Sequence, residues 1–113
     1  MTDAAFALLD GTAAVLRDLA PGLAGDARYV ALLSASAVAT ARRDLALAPR
    51  IAAARAALPA DPAPIRDGRH DADRALYDRL LAHAALRAWV ADPAAAPDPA
   101  PDVSAAPRSE PVA

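Results

Sequence analysis

The most prominent feature of the hydrophobic pattern is an uncharged stretch, residues 29–41 (YVALLSASAVATA), in a chain where 23% of the residues are charged. On a helix, the apolar side chains of this stretch point in every direction. A helix that is apolar on all sides has to be buried on all sides. We therefore predict a central helix over residues 26–47, capped by Asp26 and covered by the rest of the chain or by a second copy.

One helix is predicted before the central helix and a short helix directly after it. The first begins at Thr2 or Asp3, both of which can cap a helix, and ends before the Pro21-Gly22 pair. A short third helix is predicted over residues 49–58, because proline suits the first helical position, and residues 59–64 (PADPAP) are expected to be an extended connector. The inward face of the first helix, read from helical spacing, is Ala5, Leu8, Leu9, Thr12, Val15, Leu16 and Leu19.

The last helix is predicted to begin at Asp71 or Asp73, after a turn around Gly68, and to end at the Asp92-Pro93 pair. Its inward face is expected to consist of Leu76, Tyr77, Leu80, Leu81, Ala84 and Ala88. Residues 94–113 are rich in proline and alanine, cannot bury enough apolar surface to offset their ordering entropy, and are expected to be disordered. The pattern thus predicts an all-α protein: a small antiparallel bundle of three longer helices and one short one over residues 1–93, followed by a tail.

Composition excludes several functional classes. The net charge is −2 and the pI about 5.5, so no basic field exists to hold nucleic acid or an anionic membrane. The absence of cysteine removes disulfides and thiolate chemistry. All basic residues are arginine and about a third of the chain is alanine, as in proteins encoded by GC-rich genomes. No leader or membrane span is visible, and a cytoplasmic location is the expectation.

Two segments carry a resemblance to a known family. Residues 27–47 (ARYVALLSASAVATARRDLAL) and 65–93 (IRDGRHDADRALYDRLLAHAALRAWVADP) resemble a bacterial family of short helical proteins classed as a domain of unknown function. Members are typically encoded beside aminoglycoside-phosphotransferase-like kinases and acyl-CoA dehydrogenases. The resemblance implies a helical accessory protein that works with one of those enzymes. It brings no catalytic residue, and Val30, Ser36 and Asp92 stand where the family commonly has His, Asn and Asn.

The candidate ligand site is a row of residues four apart, Arg79, His83 and Arg87, at the edge of the last helix's apolar face. Together with Arg42 or Arg43, these side chains can hold a phosphate or carboxylate, such as the phosphates of a CoA ester. The bland alternative is that the arginine stems cover apolar surface while their charged ends stay in water. The other imidazole, His70, lies too far from His83 in sequence for the pairing typical of metal sites, and no metal or cofactor is expected.

The candidate interface consists of Phe6, Leu86 and Trp89, which lie off the predicted inward faces of their helices. Such residues predict a second contact surface, in a homodimer or against a larger enzyme. Since no nucleophile, acid–base pair or glycine-rich loop is present, no catalytic site is expected. The leading hypothesis is a non-catalytic interaction protein associated with a phosphotransferase-like kinase or an acyl-CoA dehydrogenase; the alternative is a binding protein for an anionic metabolite.

Overall fold

The computed structural model describes residues 2–99 and confirms the all-α class. It contains three long helices and one short one, with no strand among the described residues. The helices are α1 (Asp3–Leu19), α2 (Gly25–Ala56), α3 (Ala63–Arg66) and α4 (Arg74–Ala91), and a 3-10 turn, Ala20–Gly22, follows α1. The described residues divide into two compact units, with the boundary between Ala53 and Ala54. Most of the predicted tail, residues 100–113, lies outside the described residues.

The ends of α1 form where the sequence predicts them. The backbone N–H of Ala5 donates to the Thr2 hydroxyl at 3.2 Å, which confirms Thr2 as the cap. At the other end the helix tightens into the 3-10 turn that contains Pro21. Gly25 then adopts a φ of 60°, in the left-handed region that favours glycine, and begins α2.

The predicted break before Pro49 is wrong, because α2 continues through Pro49 to Ala56. Proline lacks the N–H that would bond to the carbonyl four residues earlier, and this loss weakens the helix without ending it here. Leu47 and Ile51 are both buried, one on each side of Pro49, and their burial stabilises the continuous helix. The short helix is therefore α3, where the Ala63 N–H donates to the Asp61 carboxylate at 3.0 Å.

In the first unit, α1 and α2 form an antiparallel hairpin. The Arg42 Nε donates to Asp10 Oδ1 at 3.1 Å, and the Arg42 guanidinium lies 4.6 Å from the centre of the Phe6 ring. These contacts require α2 to run back along α1 after the turn. Helical periodicity places a set of buried alanines on the contacting faces: Ala13 and Ala20 on the Phe6 side, Ala31 and Ala35 on the Arg42 side.

The prediction that residues 29–41 are buried on all sides by the rest of the chain is wrong. Tyr29 is 66% exposed and Leu33 55% exposed, and Val30 and Leu32 are exposed as well. The physical reason is that alanines occupy the inward positions of this segment. Because small side chains let two helices approach closely, the seam of the hairpin closes on alanine and leaves the larger residues outside.

The inward face of α1 also differs from the predicted one. Leu8, Val15 and Leu19 are exposed, with Leu8 at 70%, and Thr12 is exposed too. Buried or half-buried positions instead follow a spacing of three and four residues, as Phe6, Leu9, Ala13, Leu16 and Ala20. The pattern fits a narrow coiled-coil-like seam rather than a broad leucine stripe.

In the second unit, α4 begins at its predicted cap, but the face that it buries differs from the predicted inward face. The Leu76 N–H donates to Asp73 Oδ1 at 3.0 Å. Leu76 and Val90 are buried and Leu80 half-buried, whereas Tyr77 and Leu81, which the sequence places inward, are exposed. The predicted turn around Gly68 is confirmed, with a φ of 83°.

Candidate interaction surfaces

Phe6, the first residue of the predicted interface, has a partner within its own chain. The Arg42 guanidinium covers one face of the Phe6 ring while its Nε bonds to Asp10. This three-residue contact joins a cation–π interaction to an ion pair, with the Asp10 carboxylate 61% exposed. Phe6 is half-buried, and the contact joins α1 to α2.

The other two predicted interface residues, Leu86 and Trp89, are both half-buried on α4. Neither belongs to the set of large apolar side chains that are strongly exposed. Their role at an interface stays a prediction. The larger groups of exposed apolar side chains lie on α1 and on the first half of α2, and Tyr77 and Leu81 form a smaller exposed pair on α4.

The first of these surfaces, called the outer stripe below, consists of Leu8, Gly11, Thr12, Val15 and Leu19 on α1. A shallow apolar groove of about 420 Å³ lies along it, lined by residues of α1 that include Leu8, Gly11 and Val15. A Cβ built on Gly11 would meet no atom within 4 Å. The Thr12 hydroxyl donates to the Leu8 carbonyl at 2.8 Å, so its polar group is satisfied within the helix. The stripe is therefore apolar, uncharged and open.

The second surface, called the α2 patch below, consists of Tyr29, Val30, Leu33 and Ala37. All four are exposed. Positions 30, 33 and 37 lie on one side of the helix, with Tyr29 one turn before Leu33. From the sequence, Leu8, Thr12, Val15 and Leu19 are expected to lie inward, and residues 29–41 are expected to be covered by the rest of the chain or by a second copy. The signal that identifies the outer stripe is the three-and-four spacing of Phe6, Leu9, Ala13, Leu16 and Ala20, which rotates the buried face away from Leu8 and Val15.

The predicted anion site shows a different arrangement from the one expected. His83 lies seven residues from both Leu76 and Val90, on the buried face of α4. Its Nε2 is buried and has no hydrogen-bond partner among the described residues. Arg79 and Arg87 are exposed, and eight residues of helix separate their Cα atoms by about 12 Å. The row thus presents two separated guanidinium groups to solvent, with the Nε2 of the imidazole between them turned inward.

Arg43, the fourth predicted ligand residue, belongs to the first unit. Its Nη2 donates to the Thr40 hydroxyl at 3.2 Å, one turn earlier on α2. That hydroxyl in turn donates to the Ser36 carbonyl at 2.9 Å. The use of Arg43 with the α4 arginines for an anionic ligand stays a prediction.

The start of α4 gathers charged groups around its cap. The N–H of Leu76 bonds to the Asp73 carboxylate and is the largest cause that lowers the pKa of Asp73, followed by the positive charge of Arg79 and by His70. His70 Nδ1 lies 3.7 Å from Asp73 Oδ2. Within residues 2–99, no three His, Asp or Glu side chains are grouped so that they could bind a metal ion. The cluster stabilises the helix start.

No protein family, curated protein or solved structure matches the chain. In the part of the chain that the structure describes, no helix combines the length and apolar character needed to cross a bilayer. The candidate sites therefore rest on geometry alone, and the two exposed apolar surfaces are the features that a function has to explain.

Proposed function

We propose that this chain is a non-catalytic interaction module that docks on a larger protein through the α2 patch. The observation that supports the proposal most directly is the exposure of Tyr29, Val30 and Leu33 together on a helix without a charge between residues 29 and 41. Monomeric soluble proteins rarely expose contiguous apolar patches of this kind, and such patches mark interaction sites. The proposal includes the cytoplasmic location expected from the sequence.

The geometry of the α2 patch indicates the chemistry of the partner. Anchors at 30, 33 and 37 follow the i, i+3, i+7 spacing by which a helix docks into an apolar groove. Tyr29 adds an aromatic ring with a hydroxyl, which suits the border between a dry contact and water. The partner surface is therefore an uncharged apolar groove that accepts a helix.

Candidate partners come from the family resemblance, which implies a phosphotransferase-like kinase or an acyl-CoA dehydrogenase. An accessory role agrees with a chain in which no catalytic group was identified from sequence. Burial of the exposed part of Leu33 would contribute on the order of 2 kcal/mol, at about 25 cal/mol per Å² of apolar surface. Loss of that contact corresponds to about a thirtyfold weaker complex.

The test is titration calorimetry of the purified chain against each purified enzyme from the same genome. We expect micromolar or tighter binding to one of them, and binding by Leu33→Glu to be weaker by at least thirtyfold, since the variant also buries a charge. Leu45→Glu is the matched control, because it makes the same change at an exposed leucine of α2 outside the α2 patch. Equal binding by both variants, or no binding to either enzyme at 100 μM protein, would contradict the proposal.

A further inference from the structure

The outer stripe of α1 has a near-symmetric order of side chains about its middle. Leu8 and Val15 are equidistant from the midpoint between Gly11 and Thr12. Large side chains therefore flank small ones, with Leu8 and Val15 about 10 Å apart along the helix. A surface with this order can pair with a copy of itself when the two helices run in opposite directions.

We propose that the outer stripe is the contact of a homodimer, in which the α1 helices of two copies cross antiparallel at Gly11. In this arrangement Leu8 of one copy lies beside Val15 of the second, and the reverse contact follows from the two-fold axis. The same surface supplies both the projecting side chains and the groove that receives them. This inference concerns a surface other than the α2 patch and does not depend on the proposed function.

Gly11 provides an independent reason to place the crossing there. Glycine weakens the interior of a helix relative to alanine. Among residues 2–99 nothing requires a glycine at this position, because a Cβ built on Gly11 meets no atom within 4 Å and α1 is regular there. A second helix that approaches closely does require a small residue. Thr12, its neighbour at the axis, has its hydroxyl bonded to the Leu8 carbonyl and can be covered without an unsatisfied donor.

The size and charge of the stripe favour a second copy over other occupants. With Leu8, Val15 and Leu19 each more than half exposed, the stripe and its small neighbours expose roughly 500 Å² per copy, and complete burial of both copies would reach about 1,000 Å², the lower limit of specific interfaces. The five residues of the stripe are uncharged, and Asp18, at its edge seven residues after Gly11, lies opposite residue 5 of the second copy, so like charges do not meet. Residues 100–113 of the same chain contain no apolar side chain larger than valine and lack an anchor for the groove. We expect a weak, reversible dimer.

The first test is analytical ultracentrifugation of the full chain between 5 μM and 1 mM. We expect a monomer–dimer equilibrium, and a dissociation constant at least tenfold higher for Gly11→Leu. Leucine favours the helix, so circular dichroism should show that this variant folds. Ala14→Leu is the matched control, at an exposed position of α1 outside the stripe, and should change the constant less than twofold. A wild-type chain that is monomeric at 1 mM, or a Gly11→Leu variant that dimerises normally, would overturn the inference.

A second test uses the absence of cysteine from the chain. A single cysteine at Thr12→Cys would lie next to its equivalent across the two-fold axis, whereas one at Ala14→Cys would not. Under mild oxidation we expect at least five times more covalent dimer from Thr12→Cys. Equal yields would reject the crossing point. If Leu33→Glu dissociates the dimer while Gly11→Leu does not, the self-contact lies on the α2 patch and the inference fails, although the proposed function remains open to its own titration.

Discussion

Two glycine-to-alanine substitutions that add the same methyl group to equally open positions should change stability in opposite directions. A Cβ built at either Gly11 or Gly25 meets no atom within 4 Å, so neither change creates a clash or a new contact. The positions differ in backbone conformation. Gly11 lies within regular α1, whereas Gly25 has a φ of 60°. The sign of each effect should therefore follow from the backbone alone.

The magnitudes follow from the two conformations. In a helix interior, alanine is more favourable than glycine by about 1 kcal/mol, so Gly11→Ala should stabilise the chain by that amount. At Gly25, the left-handed conformation costs an L-residue about 1–2 kcal/mol, offset by about 0.4–1 kcal/mol from the lower entropy of the unfolded chain. Gly25→Ala should therefore destabilise by about 1 kcal/mol. The two variants should differ by about 2 kcal/mol, or about 8–16 °C in Tm for a domain of this size.

The assay is urea unfolding followed by circular dichroism at 222 nm, at 5 μM protein so that association does not contribute. Both variants should keep the m value of the wild type, because neither changes the surface exposed on unfolding. Shifts of the same sign would refute the reasoning. A destabilised Gly11→Ala in particular would show that α1 packs against another part of the chain at Gly11, and would remove the outer stripe as a free surface.

Three other changes test particular contacts. Pro49→Ala should stabilise α2 by about 1–3 kcal/mol in urea unfolding, because it restores a backbone donor to an unbroken helix; a loss would contradict the helix path. In a double-mutant cycle, Asp10→Asn and Arg42→Met should couple by less than about 1 kcal/mol, since the carboxylate is exposed. His83→Leu should unfold at the same or higher urea concentration, because it removes a buried unpaired nitrogen.

The pH dependence of the α4 cap has a defined sign. The pKa of Asp73 is lowered in the folded chain, first by the Leu76 N–H, so the ionised form is favoured by folding. The contribution of the Asp73 carboxylate to the stability of the fold is fully present above the ordinary aspartate pKa of 3.8. It is lost as the pH falls through the lower pKa of the folded chain. Asp73→Asn should reduce the loss in the free energy of unfolding that urea unfolding measures between pH 5 and 2. An unchanged loss would contradict the stabilising role of the Asp73 carboxylate.

The ends of α1 and the start of α4 were predictable because each depends on one or two residues, whereas α2 begins at Gly25 and not after the expected cap Asp26. Thr2 and Asp73 accept backbone N–H groups at the helix starts, and Pro21 closes α1, as the sequence indicates. Pro49 was not predictable in the same way. Its intrinsic effect is to end a helix, and the buried Leu47 and Ile51 that keep α2 continuous belong to tertiary structure.

The buried faces were less predictable, because alanine occupies about a third of the chain and makes several faces of each helix equally apolar. The apparent periodicity then depends on leucine and valine and places Leu8 and Val15 inward. The structure instead buries Ala13 and Ala35 and leaves the outer stripe in solvent. The same ambiguity affected the candidate sites, since His83 was expected at the edge of the face of α4 and lies on its buried side.

The alanine seam and the two exposed surfaces have one physical origin. Alanine buries little apolar area per residue, so a hairpin closed on alanine gains limited stability from its own core and keeps larger side chains outside. Burial of those side chains by association adds stability through mass action. Because the outer stripe lies on α1 and the α2 patch on α2, a dimer through Gly11 would carry two copies of the patch. A Gly11→Leu variant should then lose only the avidity component of binding to an oligomeric enzyme, whereas Leu33→Glu should lose the intrinsic affinity.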